Sequence, residues 1–391
     1  MRIPHIVVVA FCGALWLLSP GSFVHAQDVN AWQTAFGAGE EARRLGDLTR
    51  YELEMVAAAG LVPHEHPSRP VVQYHAARAA ALDRRPQDAA RWLRTIWEED
   101  LQRLMITFAA SDHAFADITD TPPFLSVMGL AGKMKLTTRR LGGDVYLVVG
   151  AGSNVLAKVS TEGVLMVDTG YGSALPSVRR AIEELGGGPI RAVVITHPHE
   201  DHMGSAAELG GEAELYAHAG TAAAMLEPYI FMDGLSIPRK PDSALPDIPI
   251  ESDVSIEFGG ESIRILPTVA HSSGDISVYF TESHVAHLGD AFLPSNPMMY
   301  PGTVDPNAFL ERLERFLDGM HPETVIVSGH EEVTGIRAVR EQIQATRAAI
   351  AFVSEAISSG MSIEETARSG QDRFPVQWTT FFYQLLIQLR L

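Results

Sequence analysis

The sequence predicts an α/β chain in which a small all-α helical-hairpin region precedes a larger α/β domain, and three observations carry this. Residues 28–132 are rich in Ala, Arg, Leu and Glu at helical spacing. Near residue 132 the period changes to short, β-branched runs separated by glycine turns. From Leu175 onward, apolar strand-like runs alternate with helical stretches, the pattern of an α/β layer architecture.

Within the helical region, Ala89, Trp92, Leu93, Ile96 and Trp97 follow i, i+3, i+4, i+7, i+8, and Pro86 suits the first turn of that helix. Val71 to Leu82, joined through Asp83-Arg84-Arg85, would be its antiparallel partner, and an earlier pair would surround Gly46-Asp47. The hairpin around Arg85 and Ala89 resembles tetratricopeptide repeats without a clean 34-residue period. Such a region is either a platform for a protein partner or a cap that buries its own Trp and Leu face. Thr121-Pro122-Pro123 and Gly129 to Gly132 read as a linker. Beyond it, Leu136 to Leu141, Val145 to Val149, Val155 to Val159 and Val164 to Val167 read as strands, with turns at Gly142-Gly143-Asp144 and Glu162-Gly163.

The densest chemistry is the run His197-Pro-His199-Glu-Asp201-His202, directly after the apolar Ala192 to Ile195. Four ligand-type side chains in six residues exceed what packing requires. On extended chain His197 and His199 face one way and can share an ion. Asp201 and His202 come where a helix is expected to begin near Met203, which turns them toward a neighbouring ion. Further ligands must come from elsewhere, and three stand where predicted strands meet loops: His271 after Ile263 to Leu266, Asp290 after Val285-Ala286, and His330 after Val325-Ile-Val-Ser-Gly. His287 reads as packed or as supporting the Asp290 ligand from behind, and His64-Glu65-His66, His218 and His75 read as connector, core or surface residues.

The ordered set Asp168-Thr169-Gly170, H-x-H-x-D-H, a lone His, Gly289-Asp290 and Gly329-His330 resembles the metallo-β-lactamase-fold hydrolases over roughly residues 133 to 340. The resemblance implies a four-layer αβ/βα sandwich (133–340) with a C-terminal helical extension (341–391). It also implies two divalent metal ions, Zn2+ first and iron left open. His197, His199 and His271 would bind one, Asp201, His202 and His330 the other, Asp290 would bridge them, and Asp168 would orient a ligand imidazole. The implied chemistry is attack by a metal-bridging hydroxide on an acyl carbon of an ester, lactone or thioester, with Asp201 as the catalytic residue that orients the nucleophile or moves its proton. Asp290 stands where metallo-β-lactamases proper usually have Cys or Ser and where glyoxalase-II-like thioesterases and lactonases have Asp, so β-lactam hydrolysis is a second choice. Glu331 stands where the family commonly has Gly. Two other readings stay open. One is an iron-dependent sulfur dioxygenase using the equivalents of His197, His271 and Asp290; the other is a partner-binding protein with secondary hydrolase activity.

Residues 1–26 read as a secretory signal, with Arg2, the apolar Ile6 to Leu18 and small residues near Ala26, which predicts a periplasmic or secreted protein. The only cysteine, Cys12, lies in that segment, so the remaining chain would use oxygen and imidazole donors alone. With 30 basic and 48 acidic residues, a net charge of −18 disfavours nucleic acid as a partner without identifying the substrate, and the resemblance implies a small molecule. Tyr229 to Ile250 and Phe292 to Pro306, with Met298, Met299 and Tyr300, are long enough to be lids or substrate walls.

Overall fold

The computed structural model describes residues 31–66, 68–99, 104–109, 112–131, 134–232, 235–293 and 305–389. The signal-like segment, Cys12 and Met298 to Tyr300 lie outside the described residues. The chain divides into two compact units: one holds the residues up to Met134 together with Glu227–Arg239, the other Lys135–Leu226 and Lys240–Leu391.

The first unit is helical: α1 (Ala31–Leu45), α2 (Leu48–Leu61), α3 (Arg69–Leu82), α4 (Pro86–Glu99), α5 (Leu104–Ala109) and α6 (Pro122–Ala131). Gly46, at φ 77°, closes α1, and the Asp47 side chain accepts from Arg50 N to start α2. Trp32, Tyr51 and Met55 are buried with a row of alanines (Ala58, Ala59, Ala76, Ala79), small enough for close helix approach. The expected linker is corrected: Pro122 opens α6, at a position where a missing N–H is harmless, and Gly129 lies inside it. Tyr229 to Ile250, expected as a lid or substrate wall, contains a short hairpin. Tyr229–Met232 (β7) pairs antiparallel with Leu235–Ile237 (β8) in this first unit, and the rest returns to the other.

A half-buried carboxylate makes the helical unit acid-sensitive. Burial alone would raise the pKa of Glu40, but His75 Nδ1 at 3.2 Å and Arg43 Nη2 at 2.8 Å outweigh it and bring the carboxyl down from 4.5 to about 2. A depressed acid adds stability that is complete above pH 4.5 and is lost as pH falls toward 2. Thermal melts should therefore show Glu40→Gln losing less stability than the parent between those two pH values, and parallel curves would contradict this account.

The second unit contains two sheets. The first has the order β1-β2-β3-β4-β5-β6-β9, from Thr137–Gly142, Val145–Val149, Val155–Ser160, Gly163–Val167, Ile190–Ile195, Glu214–His218 and Ile248–Ile250. The second has the order β10-β11-β12-β13-β14-β15, from Val254–Phe258, Glu261–Pro267, Ile276–Phe280, Val285–His287, Val325–Val327 and Thr334–Gly335. Leu147, Leu156, Leu165, Val167 and Val194 from one sheet meet Ile263, Ile265, Val278, Phe280 and Val327 from the other in a single apolar layer. Helices α11 (Pro306–Leu317), α12 (Ile336–Ser358) and α14 (Val376–Leu389) cover the far face of the second sheet, where Phe309, Leu313, Val339, Trp378 and Phe382 are buried with Tyr279, Ala286 and Ile326. On the far face of the first sheet, Ile182 of α7 (Leu175–Glu184) reaches the neighbourhood of Val164 at Gly187. The result is helix, sheet, sheet, helix: an αβ/βα sandwich. One buried ion pair crosses the two sheets, Lys158 Nζ to Glu261 Oε2 at 2.6 Å.

Topology explains why the polar loops gather. Strands β4 and β5 run parallel, so Asp168 and His197 leave the first sheet at the same edge. Strands β13 and β14 also run parallel, while β11 and β13 are both antiparallel to β12; the chain therefore leaves all three toward one edge with His271, Asp290 and His330. Among the described residues, no helix is long and apolar enough to cross a membrane.

Candidate metal centre

The histidine-rich run folds as a loop and one short helix, α8 (Glu200–Met203). That helix begins earlier than the expected Met203, because His199 is extended at its N-cap and Glu200 and Asp201 suit the positive end of the first turn. Asp201 and His202 therefore swing away from the direction of His197 and His199.

All seven candidate residues come together in two groups. One potential ligand atom from each of His197, His199, His271 and Asp290 lies within 4.8 Å of the others, and the same holds for Asp201, His202 and His330. In the first group His199 Nδ1 lies 2.9 Å from His197 Nε2 and 3.0 Å from His271 Nε2. In the second, His330 Nε2 lies 3.1 Å from Asp201 Oδ2 and 3.4 Å from His202 Nε2. Asp290 reaches both: its Oδ2 is 3.4 Å from His271 Nε2 and 3.4 Å from His330 Nε2, and its Oδ1 is 3.5 Å from His202 Nε2.

Three imidazole nitrogens meeting near 3 Å cannot all be satisfied by one another's protons. Asp290 Oδ1 is also buried without a hydrogen-bond donor. A cation would satisfy both, and the donor set of imidazole and carboxylate suits a divalent ion with tetrahedral or higher coordination. The residues present therefore fit the metal that the motif set implies.

Asp168 is positioned to aim one of these rings. Held at φ 62°, a region non-glycine residues rarely adopt, it accepts from Thr196 N at 2.7 Å, from Thr196 Oγ1 at 2.8 Å and from His202 Nδ1 at 2.7 Å. With Nδ1–H committed to Asp168, Nε2 of His202 is the nitrogen that faces the cluster and would give its lone pair to a bound ion. Thr196 Oγ1 also lies 3.1 Å from His197 Nδ1. Behind Asp290, Gly329 packs so closely that a Cβ there would lie 1.9 Å from Asp290 Oδ1 and 2.9 Å from His202 Cε1, so only glycine fits.

Charges within the cluster divide the titrating groups. Burial, helped by neighbouring imidazoles, pushes His197 well below the usual histidine range and His271 down to about 3, leaving their lone pairs free. Burial opposes charge on His202 and His330 too, but Asp201, Asp290 and, for His202, Asp168 outweigh it, raising His330 to about 10. Despite their own burial, Asp201 and Asp290 are held well below the usual carboxylate range by His202 and His330. The carboxylates thus build a patch of negative potential that favours positive charge between the two groups.

Several contributors were not singled out from sequence. Thr196 immediately precedes the motif, yet its hydroxyl role depends on Asp168, 28 residues away. The Asn154 carbonyl faces His287 Nε2 at 2.8 Å, and His287 Nδ1 accepts from Gly289 N, so this buried histidine braces the turn carrying Asp290. Asp275 accepts from Ala270 N, Ser272 N and Ser272 Oγ and braces the His271 loop. His218 caps the helix at Ala219–Met225, and His66 accepts from Ser68 N against the Trp32 ring, consistent with packing or connector positions.

Comparison with known proteins gives the same direction. Hydroxyacylglutathione hydrolase of Acidiphilium cryptum is 27% identical over 168 residues, 43% of this chain and 61% of that protein. The alpha subunit of 2,4-dinitroanisole O-demethylase of Nocardioides sp. is 28% identical over 171 residues, 42% of this chain and 48% of that protein. The chain thus spans less than two thirds of either relative. The solved structure of the stereoselective inverting sec-alkylsulfatase Pisa1 from Pseudomonas sp. superposes with a TM-score of 0.50 at 16% identity, covering 63% of this chain and 49% of that one, a likeness of fold. Residues 139–330 match the family model of the metallo-beta-lactamase superfamily, and this chain therefore carries a domain of that superfamily.

Proposed function

We propose that the protein is a dinuclear-metal-dependent hydrolase that cleaves an acyl bond in a small ester, lactone or thioester. The observation that carries the reading is Asp290, whose two oxygens face both histidine groups at 3.4–3.5 Å. His197, His199 and His271 would hold one ion, Asp201, His202 and His330 the second, and Asp290 would be shared between them. When bound, such ions supply a water-derived nucleophile near neutral pH and polarise the acyl oxygen. Asp201, kept ionised beside His330, would orient that nucleophile and take its proton at Oδ2. Asp168 and Thr196 would hold the imidazoles in their ligating tautomers. The acyl substrate class is supported by the relatives named hydroxyacylglutathione hydrolase and by a carboxylate, rather than a thiol or hydroxyl, at position 290. The Arg2-led apolar start of the chain supports export, which cell fractionation tests.

Turnover of purified protein on lactones, thioesters, aryl esters and a β-lactam, with metal content measured on the same sample, tests the reading. Two ions per chain and preferential acyl cleavage outside the β-lactam are expected. Faster β-lactam turnover, or a single iron per chain, would reject it. In Asp168→Asn an amide NH2 would confront His202 Nδ1–H, so chelator competition should show metal affinity reduced about 10- to 100-fold. Unchanged affinity would mean that Asp168 only braces its turn.

A further inference from the structure

The second sheet carries a basic cavity with no part in the proposed chemistry. It holds about 340 Å3 and is lined by Arg264, Arg312 and Arg315, by Leu266 and Pro267, and by the carboxylates Asp253 and Asp318, three cationic groups against two anionic ones. Arg264 and Leu266 alternate on β11 and so share a face, the face on which Leu266 packs with Phe309, Leu310 and Leu313 of α11. Arg312 and Arg315 are three residues apart on that helix and stand together over the same face.

These three arginines lack an ion-pair partner among the described residues, as Arg191, Arg368 and Arg373 of the same unit also do, and are set apart by lining one cavity. Arg179, Arg337, Arg340 and Arg347 each have a carboxylate within 4 Å, whereas Arg264, Arg312 and Arg315 have none among the described residues. Asp318 is paired with Arg340 at 3.2 Å, and Asp253 has no cationic side chain within 4 Å among the described residues. One Arg312 Nη donates to Val269 O, but its Nε is buried without a partner. Burial and the nearby Arg315 charge press the Arg312 pKa down against the smaller opposing pull of Asp305, so an anion in the cavity would relieve this guanidinium. In a chain of net charge −18, a concave surface with three unpaired guanidinium groups runs against the general balance.

We propose that this cavity is an anion-binding site for a phosphate-type dianion, either free phosphate or a small phosphomonoester. Planar guanidinium groups from two elements can donate in pairs to tetrahedral oxyanions, and a cavity of this size lies at the small end of those that hold ligands. Through Arg312 and Val269 O the site is linked to the chain two residues before His271. The inference does not depend on the hydrolase reading.

Calorimetric titration of the full chain at low ionic strength, with inorganic phosphate, phenyl phosphate and succinate, tests it. Saturable binding of one phosphate or phenyl phosphate per chain is expected, with the tighter of the two indicating the source. Arg264→Gln and Arg315→Gln should each weaken that binding at least tenfold, and Arg347→Gln, paired with Glu314 on the outside of the same helix, should not change it. Absence of saturable phosphate binding at millimolar concentration would overturn the proposal. So would binding of succinate in preference to both phosphates, or phosphate binding that Arg264→Gln and Arg315→Gln leave intact, which would place the anion elsewhere.

Discussion

Asp290→Ala is expected to lose at least one equivalent of metal and at least about two orders of magnitude in turnover, because the side chain removed is the one that faces both ligand groups. Metal content by mass spectrometry and kcat on the best acyl substrate measure the two effects on one sample. Asp290→Asn keeps the shape above Gly329 and separates charge from packing, since the amide fits the same space but halves the acceptor capacity. Two retained ions with undiminished turnover in both variants would remove the basis for a shared carboxylate. Loss of metal in the alanine variant alone would assign Asp290 a space-filling role.

The largest stability loss is expected far from the metal centre, at Glu261. Its carboxylate accepts from Lys158 Nζ at 2.6 Å, Ser283 N at 2.6 Å and Ser283 Oγ at 2.7 Å, and it is 2% exposed. Lys158 is 6% exposed and has come from the opposite sheet. Glu261→Gln leaves that ammonium buried without a counter-charge, which costs about 3–5 kcal/mol, whereas replacing both partners by apolar groups of similar volume is often neutral. Urea unfolding should therefore show Glu261→Gln strongly destabilised and the double variant Glu261→Gln/Lys158→Met, which removes the buried charge and keeps an acceptor for Ser283, recovering most of the loss. A single variant within about 0.5 kcal/mol of the parent would mean that water already reaches the pair.

What was legible in the sequence was what is local. The run from His197 to His202 needs only neighbouring residues to be read, and the helical spacing of Ala89, Leu93 and Ile96 matches their burial on one side of α4. His271, Asp290 and His330 were legible as strand-end residues because each follows a short, largely apolar run, Ile263 to Leu266, Val285-Ala286 and Val325 to Val327. Illegible features depend on pairings between distant residues. Lys158 and Glu261 are 103 positions apart and each looks like a surface charge in its own strand. Asn154 and His287 are 133 apart, and the hydrogen bond uses a backbone carbonyl that no residue type marks. The β7–β8 hairpin was hidden for another reason: the prolines at 238, 241 and 246 give its surroundings the composition of a loop, although Tyr229–Met232 itself is strand-prone.

That hairpin also bears on how the protein is made. The helical unit takes in Glu227–Arg239, so it cannot be finished when its last helix has left the ribosome. About a hundred further residues must be synthesised first, at roughly 5–20 residues per second, which delays completion by many seconds. During that interval an incomplete bundle is exposed to chaperones and proteases while the α/β portion is still emerging.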